Sequence, residues 1–350
     1  AVQDAKGELT DKKFTEYSRT ILALTAIGKD PSNVGGYDLL AKLADMDDVI
    51  YQGLNGAVFA LLALDSGKYD VPAAAEDGHQ TTRDGLVAYL LEQQLTDGGW
   101  ALSGSSADPD MTAMVLQALA PYRAGSAEVQ TAVDKAVQTL SELQQADGGY
   151  SSWGTLNSES CAQVIVALTA LGIDPASDSR FIKNGATMLD ALCSYYVEGG
   201  GFKHTSDGTL NGMATEQGYY ALAAYYRLVN KQTSLYDMTD VCPHSMTATA
   251  GKAATCTEAG HSAYWSCSRC GKFFSDAAGK TEIAKDSWVI AALGHDEATR
   301  AAVAATCYAS GHEADTYCKR CGIVLAAGAT IPATGKHTYV DGVCTTCGTR

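Results

Sequence analysis

The segments Gln94-Leu95-Thr96-Asp97-Gly98-Gly99-Trp100 and Gln144-Gln145-Ala146-Asp147-Gly148-Gly149-Tyr150 write one turn twice, fifty residues apart. A degenerate third copy reads Glu198-Gly199-Gly200-Gly201-Phe202. A chain that repeats a unit at this period must bury the apolar face of each copy against the next, so the repeat constrains the architecture before any single residue does. Each copy follows an amphipathic stretch (82–95, 127–145, 181–197) and precedes a more apolar one (111–122, 160–171, 213–229). The glycines permit a tight reversal, and the aromatic side chain fills the gap between adjacent hairpins. The apolar stretches also share an ending. Ala23-Leu24-Thr25-Ala26-Ile27-Gly28-Lys29-Asp30-Pro31 is echoed by Ala167-Leu168-Thr169-Ala170-Leu171-Gly172-Ile173-Asp174-Pro175, where Gly closes a helix and Pro forbids its continuation.

This pattern predicts five inner helices near 14–27, 52–64, 110–122, 158–171 and 212–229, and four outer ones near 37–45, 82–95, 127–145 and 180–197. Inner helices covered on both sides are apolar nearly all round. The expected fold class is therefore all-α: an α/α toroid of helix hairpins over residues 1–239, with any missing part of the ring upstream of Ala1 or built by residues 1–10. Small irregular or β-rich, zinc-knuckle-like modules are expected at 240–294, 295–336 and 337–350. Ala1-Val2-Gln3-Asp4 reads as the cut edge of a mature chain rather than a leader. Asp45-Met46-Asp47-Asp48 reads as an acidic loop.

Composition divides at the same place. Nine of the eleven cysteines fall in 241–350, and the formal net charge of −15 belongs to residues 1–239, with 15 basic and 30 acidic side chains. So acidic a surface repels nucleic acid and anionic membranes, and no apolar run reaches the length of a membrane span. The expected partner is a small molecule, a glycan or a peptide. The expected setting is secreted or on a cell surface, where the charge serves solubility.

In the carboxy-terminal part His244, Cys256, His261, Cys267 and Cys270 recur as His295, Cys307, His312, Cys318 and Cys321, each 51 residues on. A truncated third unit holds His337, Cys344 and Cys347. A Cys-x2-Cys-Gly turn aims two thiolates at one point, and a distant Cys and a His complete a closed, structural zinc tetrahedron. Modules this small build little core, so the metal supplies much of their folding energy. The expected sets are Cys256, Cys267, Cys270 with His295, then Cys307, Cys318, Cys321 with His337, then Cys344 and Cys347. His261 and His312 are the within-unit alternatives for the histidine. Disulfides are the alternative chemistry outside the cell, although nine cysteines cannot all pair. Neutral charge and the lack of a basic helix disfavour DNA as a partner. Ile331-Pro332-Ala333-Thr334-Gly335 reads as a linker between units.

The Gln-x-x-Asp-Gly-Gly-aromatic repeat, with Asp108-Pro109-Asp110-Met111-Thr112-Ala113 after its first copy, resembles the superfamily of terpenoid cyclases and protein prenyltransferases over residues 9–235. The Cys-x2-Cys-Gly units resemble repeats of bacterial surface proteins. The first resemblance implies Asp110 as a general acid and Asp108 as its partner, with Met111 standing where the cyclase motif has a further Asp. A prenyltransferase zinc site would need a His on the last inner helix, and 214–220 has none; Cys161 and Cys193 read as small buried core residues. Residue chemistry alone makes Asp108 an N-cap before Pro109 and places Asp110 in the first turn, equivalent to Thr15, Asn55 and Glu159. A cup on the ring axis would be lined by Trp100, Tyr219 and Tyr220, with Tyr225 and Tyr226. These features favour a non-catalytic surface or adhesion protein. The alternatives are a terpene-cyclase-like enzyme using Asp110, and a helical-barrel glycosidase or lyase using Asp110 and Glu159.

Overall fold

The computed structural model describes residues 2–241, 244–268 and 270–350. The chain divides into two compact units, 1–243 and 244–350.

The first unit is helical: α1 (Thr15–Ala26), α2 (Met46–Val49), α3 (Leu54–Ser66), α4 (Arg83–Glu92), α5 (Pro109–Leu119), α6 (Ala127–Leu143), α7 (Ser158–Ala170), α8 (Met188–Ser194) and α9 (Gly212–Val229). Helices α1, α3, α5, α7 and α9 pack against one another in chain order, while α4, α6 and α8 lie against α3, α5 and α7. Burial follows from this layering. Inner helix α7 buries all but two of its thirteen positions, whereas outer helix α4 buries only Leu86, Val87 and Leu90.

The Asp-Gly-Gly-aromatic turn is built from both of its glycines. Gly98 and Gly148 take φ of +93° and +85°, a region closed to most L-residues. A Cβ on Gly99 would stand 2.4 Å from the Cβ of Ala107. The leading glutamine staples the turn to the next hairpin: Gln94 Nε2 donates to Gly98 O (2.7 Å) and Ala132 O (2.9 Å), and Gln144 Nε2 to Gly148 O (2.9 Å) and Phe181 O (3.0 Å). Trp100, Tyr150 and Phe202 close the gaps as fully buried plugs. Trp100 Nε1 donates to Leu90 O at 2.7 Å and Tyr150 Oη to Leu140 O at 2.9 Å, so each ring satisfies its polar end on the preceding outer helix. Asp108, Asn157 and Asn211 then cap α5, α7 and α9 by accepting from the backbone amides of Met111, Ser160 and Ala214 at 2.8–3.0 Å.

Two outer helices are shorter than their hydrophobic pattern suggests. Over 37–45 the chain makes a 3₁₀ turn at Leu40–Leu43, and Asp45, expected in a loop, caps the one-turn α2. Over 180–197 the end of a 3₁₀ turn at Ser179–Phe181 is followed only by the short α8. Asn184 and Gly185 both take positive φ and turn the chain back so that Lys183 bridges Ala186; a capping box between Thr187 and Asp190 starts the helix afterwards.

The second unit is made of strands two to four residues long and, among its described residues, contains no helix. Met246–Thr249, Tyr264–Cys267, Phe273–Phe274 and Glu282–Ile283 form one antiparallel sheet; Glu297–Arg300, Asp315–Cys318 and Val324–Ala326 form the next. The first two strands of each sheet are related by the 51-residue period seen in the sequence. The expectation of an all-α toroid is overturned: the chain is mixed, with nine α-helices and several small sheets among the described residues. The physical reason is length. Turn-forming glycines, with Pro332, divide 244–350 into segments too short to hold a helix, which closes its nucleus only over several successive hydrogen bonds, whereas short antiparallel ladders tolerate such interruption. No helix among the described residues is long and apolar enough to cross a membrane.

Candidate metal centres

The cysteines and histidines of the second unit converge at three points. His244, Cys267 and Cys270 form the first group, Cys256, His295, Cys318 and Cys321 the second, and Cys307, His337, Cys344 and Cys347 the third; within each group the donor atoms all lie within 4.8 Å of one another. Each Cys-x2-Cys turn ends a strand and is tightened by a backbone bond from the following glycine, Gly271 N to Cys267 O at 2.9 Å and Gly322 N to Cys318 O at 2.8 Å. The histidine comes from the strand start before it. His244 Nδ1 stands 3.7 Å from Cys270 Sγ, His295 Nδ1 3.5 Å from Cys321 Sγ and His337 Nδ1 3.3 Å from Cys347 Sγ. These groups can hold a metal ion.

The grouping differs from the one expected from spacing. Cys256 does not join Cys267 and Cys270; it reaches forward to the next unit, its Sγ 3.7 Å from that of Cys318. Cys307 likewise reaches forward, 3.8 Å from Cys344. His295 and His337 therefore serve the Cys-x2-Cys pair that follows them, not the one before. The same rule brings in His244, which the spacing argument passed over. His261 and His312 join no group; each ring faces a neighbouring backbone carbonyl, Ser262 O and Glu313 O. The signal for the stagger lies in the truncated last unit, which carries His337, Cys344 and Cys347 but no lead cysteine of its own.

The described cysteines are all free thiols. Electrostatics prepare some of them as thiolates. Burial opposes ionisation of Cys318, but the backbone amide of Cys321, the His295 ring and the amides of Asp296 and Arg320 outweigh it and hold the thiol down to about 5. The backbone amides of Cys347 and Thr346 hold Cys344 at about 6. The forward-reaching Cys256 and Cys307 are pushed up to about 11 by desolvation and by the neighbouring thiols.

The helical unit carries a second cluster, at the starts of its inner helices. Ser152 Oγ, in the hairpin before α7, donates to Asp108 Oδ2 at 2.5 Å, and Ser158 N donates to His204 O at 3.1 Å, so the starts of α5 and α7 and the loop before α9 are tied side by side. Both oxygens of Asp108 are thereby engaged, one as N-cap and one on Ser152. Asp110 behaves differently. Its Oδ1 is buried with no hydrogen-bond partner among the described residues, and desolvation pushes its carboxyl up to about 6; the hydroxyls of Ser160 and Ser152 oppose that shift, and Asp108 and Glu159 add to it. Glu159 is buried and accepts from the Ser158 hydroxyl (3.0 Å), and its Oε2 lies 2.8 Å from His204 Nδ1. Thr15 and Asn55 stand at the starts of α1 and α3.

No family model matches this chain, and no curated protein does.

The remaining candidate residues scatter. Trp100 is a core plug with no exposed surface. Tyr219 is exposed on α9, whose main packing partners among the described residues are α7 and the strand Gly201–Phe202 rather than an outer helix, and Tyr226 lies one heptad along the same face. Tyr220 faces the other way and is bonded by Gln163 of α7. Tyr225 is half-buried. Cys161 is buried and pushed up to about 12 by desolvation, and it joins no ligand group; Cys193, expected in the core, is exposed.

What residue patterns missed is a set of exposed apolar side chains where the inner helices begin. Leu102, Trp153, Leu156 and Leu210 are exposed on the loops that lead into them, and Met213 in the first turn of α9. Trp153 stands at the tip of the two-residue hairpin between Ser151–Ser152 and Thr155–Leu156, 79% exposed, with φ +52° beside Gly154 at +80°. A type I′ turn of this kind wants Asn or Gly at its first position; a bulky residue there costs about 1–2 kcal/mol. The signal was Trp153-Gly154 between two serine and threonine segments.

Proposed function

We propose that this chain is an extracellular binding protein, with a helical head that grips a glycan at its rim and a carboxy-terminal stalk clamped in series by zinc. The observation that carries the first half is Trp153, a large indole held in the open at an energetic cost. Such strain persists where function selects for it. A pyranose presents an apolar C–H face suited to an indole. The resemblance of the Asp-Gly-Gly-aromatic turns to those of terpenoid cyclases and prenyltransferases supports common descent for the head and leaves activity to be argued from the site.

Zinc is supported by the donor set and by one distance. With Zn–S near 2.3 Å a tetrahedron has S···S edges of about 3.8 Å, whereas a disulfide needs about 2.05 Å. The observed 3.7 and 3.8 Å separations suit the metal. The metal would hold the fold of the units and, through Cys256 and Cys307, tie each unit to the next.

The glycan reading is tested on an array with the full chain and with Trp153→Asn. The variant relieves the turn, so it is expected to raise the melting temperature slightly while losing the retained glycans. An unchanged glycan profile, or a blank array for the parent, contradicts the reading.

One observation favours a second reading. A buried carboxyl near pKa 6, beside a paired Glu159, is suited to act as a general acid, as in a helical-barrel glycosidase or a cyclase-like enzyme. Turnover lost in Asp110→Asn with glycan retention intact would support it.

A further inference from the structure

At the end of the helical unit opposite the rim, the last turns of α3, α5 and α7 surround a cavity of about 440 Å³, a size ordinary for small-molecule sites. Leu62, Ala118, Val166 and Ala170 supply apolar walls. The chain beyond α9 borders the cavity through Ser234, Leu235, Tyr236 and Asp237 and is fastened to α3 by Met238 N donating to Ser66 O at 2.9 Å. The far end of this strap is held by Arg227, whose guanidinium donates to Thr233 O at 2.8 Å and to Asp240 Oδ2 at 2.6 Å.

Three tyrosines line the space, and two are fixed by their hydroxyls. Tyr122 Oη donates to Asp65 Oδ2 at 2.6 Å, and Tyr69 Oη is bonded to Thr25 Oγ1 at 2.9 Å. The third, Tyr236, has its phenol pushed up to about 12 by burial. Of the two basic groups in the lining, Arg83 is already committed: it is bonded to Asp65 Oδ1 (2.7 Å), Leu64 O (3.0 Å) and Tyr69 O (2.8 Å). Of the other lining charges, Asp70 and Asp237 outweigh Lys68. The whole chain carries a net charge of −15.

We propose that this cavity binds an amphipathic cation, an apolar body carrying an ammonium group, with the body between the aliphatic walls and the ammonium against the tyrosine faces and the Asp70–Asp237 mouth. Apolar area supplies the affinity. Ring quadrupoles and carboxylates select the sign of charge. The site is independent of the glycan rim, which lies at the other end of the inner helices.

Calorimetric titration of the full chain with decyltrimethylammonium and with decanesulfonate, both below micelle formation, tests it. The cation is expected to bind one to one and at least tenfold tighter than the anion of equal chain length. Ala170→Phe, which fills the cavity, is expected to abolish binding. Asp70→Asn/Asp237→Asn keeps the shape of both side chains, and an amide oxygen at 237 can still accept from Thr239 N and Oγ1 as Asp237 Oδ1 does; it is expected to weaken the cation at least threefold without weakening the anion. Equal affinity for the two probes, binding that survives in a folded Ala170→Phe protein, or a cation affinity unmoved by the double substitution would each overturn the assignment.

Discussion

Stripping the proposed metal from this protein is expected to unfold residues 244–350 and to leave the helical unit standing. The reason is the scarcity of apolar core. Among the buried apolar side chains of the described residues of the second unit, Cys267, Cys307, Cys318 and Cys344 are candidate ligands, and Phe274 alone is not. Two-residue ladders such as Gly260–His261 with Val289–Ile290 cannot offset the entropy of ordering the chain between them. Structural zinc contributes on the order of 10–16 kcal/mol to modules of this kind, more than such a unit can replace from its own packing. A strong chelator should therefore collapse the dispersion of amide resonances from 244–350, while circular dichroism at 222 nm, dominated by α1 to α9, changes little. Re-addition of zinc should restore the lost signals. Retained strand resonances after complete metal removal would contradict this account.

The second large effect concerns Asp110. Its carboxyl titrates near 6 in the fold against an ordinary aspartate value of 3.8, so the folded state prefers the neutral acid. A raised acid pKa means stability is full below the unfolded value, falls as pH rises from about 4 through 6, and stays low above. The shift corresponds to about 2–3 kcal/mol at neutral pH. Asp110→Asn keeps the shape and removes the charge. It is expected to be more stable than the parent by roughly that amount at pH 8 and equal to it at pH 4, measured by denaturant unfolding followed through the helical signal. A difference independent of pH would show that the carboxyl is not held in its neutral form. The helix dipole at the start of α5 favours a carboxylate, so burial must exceed it for the sign to come out this way. Retaining a carboxyl that destabilises its own fold is a reason to look for chemistry or binding at this position.

Much of this could be read from residue order, and the failures have physical causes. The Asp-Gly-Gly-aromatic turns and the Asp108-Pro109 helix start are local devices, decided within a few residues, and the chain builds them as residue chemistry requires. The cysteine and histidine period was equally visible. Which thiol joins which pair was not, because a translational repeat looks the same whether Cys256 turns back to Cys267 or forward to Cys318. Only the incomplete last unit breaks that degeneracy. Tyr219 was placed in a cup because the helix pattern alone does not say that α9 packs mainly on α7 and the strand Gly201–Phe202 rather than on an outer helix. The outer helix over 180–197 was overextended because apolar spacing outvoted Asn184-Gly185, a turn that local backbone preference decides. Trp153 went unnoticed because a single exposed aromatic leaves no periodic trace.

The central claim is that metal ligands are staggered between successive units. Cysteine alkylation mapped by mass spectrometry in the zinc-loaded Cys256→Ser protein tests it most directly. The stagger predicts that Cys318 and Cys321 lose their protection while Cys267 and Cys270 keep theirs. Exposure of Cys267 and Cys270 with Cys318 and Cys321 still protected would mean that each unit binds its metal alone, and the account of residues 244–350 would fall.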